Sequence, residues 1–152
     1  MPNHQKITSG HFEFNSFNTL PAWSIIAGLQ VENLVLNNRH EIIERLNVDK
    51  SEIICDGPYT QRKTTKHAGC QIDYMIQTKF NNLYLCEIKF SRNTIGRSII
   101  DEINKKIKAL ATPRNMSIRP VLIHVGELSD SLIDEQYFAK TIDLCALLDS
   151  QS

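Results

Sequence analysis

The stretch "CQIDYMIQTKFNNLYLCEIKF", Cys70 to Phe90, decides the fold of this chain. Two runs rich in Ile, Tyr, Leu and Phe flank a short polar segment, the pattern of a β-hairpin. Side chains alternate across a strand, so Ile72, Tyr74 and Ile76 share one face of the first run. Tyr84, Cys86, Ile88 and Phe90 share one face of the second. Bringing both apolar sets to one core requires even-numbered residues to pair with even. A three-residue turn at Phe80–Asn81–Asn82, or a bulge, meets that requirement. Asp73, Glu87 and Lys89 then converge on the face opposite the core. Strands disfavour all three residue types, so their presence needs a reason.

Upstream, "LPAWSIIAGLQVENLVLNN" (residues 20–38) reads as a helix with Pro21 in its first turn and Asn37–Asn38 as its stop. Ile25, Leu29, Glu32 and Leu36 lie on one stripe of it, so Glu32 interrupts an apolar face. A carboxylate there is costly unless paired, protonated or bound to a metal. "NRHEIIERL" follows as a short helix in which Asn38 and Glu41 match a capping box. "EIIC" (52–55) reads as a strand ended by the turn "DGP" (56–58), and "YTQRKTTKHAG" (59–69) is basic and without period. Downstream, Ile95, Ile99, Ile100, Ile103, Ile107 and Leu110 recur at helical spacing until Pro113, with Arg97, Lys105 and Lys108 off the stripe. "IRPVLIHV" (118–125) has the β-branched content of a central strand, and "YFAKTIDLCALL" (137–148) reads as a strand passing into a short helix capped by Asp143. The order implies one α/β domain, residues 19–150, with a mixed sheet, preceded by a polar arm over residues 1–18.

Lys+Arg and Asp+Glu number 17 each, so no global field draws in a polyanion, and nucleic-acid binding has to come from a local patch. No apolar run approaches the ~18 residues of a membrane span, and MPNHQKITSG at the start lacks an apolar signal region; a cytoplasmic protein is expected. Cys55, Cys70, Cys86 and Cys145 lack C-x-x-C spacing and sit in apolar runs, which predicts reduced core thiols. His11, His40, His67 and His124 share no metal-ligand spacing and read as surface or satisfied structural residues.

Two accounts of the hairpin's charges compete. In one, Asp73 and Glu87 are oxygen ligands for Mg²⁺ or Mn²⁺, Glu32 adds a third carboxylate, and Lys89 holds or activates an attacking water and offsets charge on a scissile phosphate. In the other, they form the solvated face of an antiparallel sheet, with Asp73 and Lys89 as a cross-strand ion pair and no chemistry.

"GCQIDYMIQTKFNNLYLCEIKF" resembles the core of the PD-(D/E)xK nuclease superfamily, with Asp73 as the motif Asp and Glu87–Ile88–Lys89 as its E-x-K. More narrowly, it is similar to the C-terminal nuclease-like domain of a family of prokaryotic AAA-type ATPases of poorly known function, whose pattern includes G-x-Q-I-D-x-x-I followed by x-C-E-I-K-[FY]. "WSIIAGLQVENLVLNN", "GPYTQRKT" and "RPVLIHV" resemble further segments of that family. The resemblance implies a restriction-endonuclease-like αβββαβ core, with a central mixed sheet flanked by helices and a divalent-cation site. Glu32 takes the place of the superfamily's helix carboxylate, Asp73 and Glu87 of its metal ligands, and Lys89 of its catalytic lysine. It also implies nucleic acid, DNA foremost, as partner. Arg62, Lys63, Lys66 and His67, with Lys105 and Lys108, would then contact phosphates. The chain carries no G-x-x-x-x-G-K-[ST], which leaves open a stand-alone relative, a truncated gene product or one domain of a longer protein, with a separate ATPase subunit as one partner the resemblance suggests. The alternative is a catalytically silent module on the same fold that holds nucleic acid or a partner protein.

Overall fold

In the computed structural model, which describes residues 23–149 without the side chains of residues 23–26 and 29, the hairpin pairs antiparallel with Tyr74 opposite Cys86 and Ile76 opposite Tyr84. Its strands, β2 (Cys70–Thr78) and β3 (Asn82–Phe90), are joined by the three residues 79–81, so even pairs with even. The turn lies one residue earlier than expected, because Asn81 takes the left-handed conformation, φ 59°, that such a loop requires.

Two helices, α1 (Trp23–Asn37) and α2 (Arg39–Arg45), precede the outer strand β1 (Ile53–Gln61). After the hairpin come α3 (Ser98–Ala109), β4 (Ser117–Val125), α4 (Asp130–Glu135), β5 (Lys140–Asp143) and α5 (Leu144–Asp149). The sheet runs β1-β2-β3-β4-β5. β2 pairs antiparallel with both β1 and β3, and β4 and β5 continue parallel to β3. This is an α/β fold with a five-stranded mixed sheet flanked by helices. The polar arm and Pro21 lie outside the described residues.

Helices cover both faces of the sheet. On one side Val31 and Val35 of α1, Ile42 and Ile43 of α2 and Leu147 of α5 pack on Tyr74, Ile76, Cys86, Val121 and Ile123. On the other, Ile99, Ile100 and Ile103 of α3 and Leu132 of α4 pack on Ile72, Leu83, Leu85 and Leu122. Val121, Leu122 and Ile123 are consecutive and all wholly buried, as a strand enclosed on both faces by parallel crossovers should be. The hairpin therefore has no solvated face, and the simple division of its residues into core and outer sides is corrected.

Ile72 is part of that correction, because it packs with Leu85 and not with Tyr74. Gly57 pairs with Met75 and Tyr59 with Ile72, so Pro58 alone spans Asp73 and Tyr74 and β2 carries an extra residue there. A bulge reverses the side-chain alternation beyond it. The "DGP" segment is thus no turn. β1 runs through it with Gly57 at φ 145°, and Pro58 is tolerated because β1 is an edge strand.

Three smaller expectations change. Asn38 makes no side-chain cap to α2; its Nδ2 donates instead to Leu34 O, 2.8 Å, closing α1. Only Cys86 is a buried thiol, while Cys55 and Cys145 are exposed and Cys70 is intermediate. Helix α4, capped by the Ser129 side chain accepting from Leu132 N, went unread. Asp143 does cap α5, accepting from Cys145 N at 3.0 Å, and His124 is buried with Nδ1 2.8 Å from Gly126 O. Among the described residues no helix is long and apolar enough to cross a membrane.

Candidate active site

The described pairing of β2 with β3 stops at Tyr74 and Cys86. One residue further, the Asp73 carboxylate stands in for the missing ladder partner, with Oδ2 accepting from Ile88 N at 2.9 Å. The bulge opposite Pro58 and this side-chain bond together place a carboxylate in the gap between two separating strands. Bulges recur beside active sites because they re-aim a side chain in this way.

Glu87 lies on the α3 side of β3 and is 6% exposed. Burial raises its pKa, and repulsion from Asp73 raises it further; Lys106 and Lys89 pull the other way. Lys106 reaches across from α3 to place Nζ 2.8 Å from Glu87 Oε1. Burial opposes the Lys106 charge, but the hydrogen bond that Lys106 donates to Glu87 and the fields of Glu87, Asp73 and Glu102 outweigh it and raise its pKa. Lys89 also points to α3, with Nζ 3.8 Å from Glu102 Oε1. The Asp73–Lys89 ion pair of the account without chemistry is not formed.

Glu32 is half-buried, and burial first, then Asp73, raise its pKa while Lys106 lowers it. It stands within electrostatic reach of the hairpin site. The described buried stripe of α1 is Ala27, Val31 and Val35, so Glu32 borders the stripe and does not interrupt it. Ile25 and Leu29 lie outside the described side chains. Among the described residues no three His, Cys, Asp or Glu side chains gather closely enough to form a metal-binding group.

Arg62, Lys63, Lys66 and His67 are exposed in the loop between β1 and β2, and Lys105 and Lys108 are exposed on α3. Gln61 ties that loop to the helix. Its Nε2 donates to Ala68 O and Ala109 O, 2.7 Å each, and its Oε1 accepts from Ala111 N, 2.8 Å. The root of the basic loop is thereby fixed at the C-terminus of α3, an end that favours positive charge.

Lys106 is the site residue that sequence reasoning missed, and a signal was there. Ile99, Ile103, Lys106 and Leu110 are spaced four, three and four apart, the spacing that singled out Glu32.

No family model matches the chain. No curated protein matches it either. Among solved structures it is similar to the crystal structure of a repair endonuclease from Pyrococcus abyssi, at 16% identity and a TM-score of 0.43, over 76% of this chain. The matched part is 44% of that protein, so the chain spans less than half of its length. A likeness of this grade is one of outline and assigns no chemistry.

Proposed function

We propose that the chain is a nuclease-like domain that hydrolyses phosphodiester bonds in nucleic acid, DNA foremost, with Mg²⁺ or Mn²⁺ as cofactor. The observation that carries this reading is the meeting of Asp73, Glu87 and two lysines where β2 and β3 separate. Carboxylate oxygens suit a hard divalent cation, which commonly takes one or two of them and fills its shell with waters and phosphate oxygens. Asp73 and Glu87 would hold it, with Glu32 a third carboxylate within electrostatic reach of Asp73. When bound, such an ion would acidify a water and neutralise phosphate charge. Asp73 is fixed for this task by Ile88 N–H, and its second oxygen accepts no hydrogen bond among the described residues. Lys89, partly exposed, would orient the attacking water and meet charge developing on the phosphate. The exposed Arg62, Lys63 and Lys66, with Lys105 and Lys108, would hold the backbone of the substrate. An association with a separate ATPase subunit rests on the sequence resemblance alone.

One observation favours a second reading, a module that holds nucleic acid without turnover: Glu87 is already paired with Lys106 at 2.8 Å. Cleavage assays with Mg²⁺ and Mn²⁺ on single-stranded, duplex and branched DNA and on RNA separate the two. A nuclease should lose cleavage in Lys89→Ala while keeping metal binding, and lose both in Asp73→Ala and Glu87→Ala. Binding without cleavage of any substrate would select the silent module. Cleavage equal in wild type and all three variants would mark a contaminant.

A further inference from the structure

Lys106 does more than fill space beside Glu87. Its side chain is 25% exposed and that of Glu87 8%, so the pair is largely enclosed. Asp73 adds a second negative charge within reach of the ammonium, and Glu102, one turn earlier on α3, adds a third. Carboxylates brought together in a buried place repel one another unless a cation joins them. Here the chain supplies that cation itself.

We propose that Lys106 is a built-in counter-cation that competes with a divalent metal ion for Glu87, so that loading the site requires the ammonium to leave Glu87. This rests on the reading of Asp73 and Glu87 as metal ligands. Glu102 gives the displaced ammonium somewhere to go: it is half-exposed, it already lies 3.8 Å from Lys89, and helix residues four apart are neighbours. Only side-chain torsions of Lys106 need change. The free protein then keeps buried Glu87 neutralised without metal, and metal affinity is set by the difference between two cations at one oxygen. Lys106 acts through Glu87 and is in this sense a positioning residue.

The test is binding of Mn²⁺ alone, by calorimetry, to the wild-type chain and to Lys106→Met. The variant should melt lower than wild type in chelator, because Glu87 loses its partner. It should bind Mn²⁺ about tenfold or more tightly, the scale of one ionic hydrogen bond no longer broken. A residue with a merely structural role would not raise metal affinity when removed. Equal or weaker affinity in the variant would overturn the proposal and leave the metal site standing. No Mn²⁺ binding by either protein would remove the metal site and the proposal together. If Lys106→Met fails to fold, acetylation of Lys106 in the wild type decides. Labelling relative to the exposed Lys140 should rise on adding Mn²⁺, and unchanged labelling would overturn the proposal.

Discussion

Glu87 protonates more readily in the folded protein than in the unfolded chain, since burial and then Asp73 raise its pKa above the ordinary 4.5. The folded state therefore holds the extra proton. This group supports folding below the usual carboxylate range and withdraws that support as pH rises through the elevated value. Asp73→Asn keeps an oxygen for Ile88 N–H and removes the repulsion on Glu87 and on Glu32. Lys106 stays charged throughout this window, so its lost attraction to Asp73 is a constant offset. Thermal melts should show the variant gaining on wild type between pH 4.5 and pH 7; a difference independent of pH would contradict the coupling. At this scale, residue type and spacing brought out Asp73, Glu87 and Lys89, because polar residues in β-branched runs stand out. They could not tell which lysine pairs with Glu87, since that depends on how α3 is rotated over the sheet.

The elements were legible wherever period was strong. The stripe of α3 placed Ile99 and Ile103 inward, and Ile103 is wholly buried. Ile103→Ala should cost ~2–5 kcal/mol, read as a lower denaturant midpoint, as a cavity between helix and sheet would. The outer strand was illegible for a physical reason. Its exposed residues, Ile54 and Tyr59 among them, face too little core to impose a two-residue period, and Gly57–Pro58 resembles a turn locally. Only the neighbouring strand shows that these residues lie opposite the bulge in β2. Gly57→Ala puts a Cβ where φ is 145° and should strain β1, loosening Asp73 as well. Gln61 works across elements. Gln61→Ala removes three hydrogen bonds and should cost ~1–3 kcal/mol, with faster amide exchange at Ala111 marking the released end of α3. Unchanged exchange there would mean that the loop holds itself.

For the whole molecule, the charge balance limits how the proposed nucleic-acid binding could arise. With Lys+Arg and Asp+Glu equal, attraction to a polyanion cannot come from net charge and has to come from the arrangement of a few cations. The exposed cations of the loop over residues 62–67 and of α3 belong to two segments that Gln61 joins through its bond to Ala109. Lys140 stands on β5, at the opposite edge of the sheet from β1. Each phosphate contact releases counterions, which makes log K fall against log salt by ~0.9 per contact on duplex DNA. Changing Lys63 and Lys66 together to Gln should therefore weaken binding to every sequence alike and flatten that slope by ~2. Lys140→Gln should leave it unchanged. Filter-binding or fluorescence titrations across salt concentrations measure the slopes directly. Equal slopes in the wild type and the double variant would move the nucleic-acid surface away from the β1–β2 loop, whatever the fate of the carboxylate site.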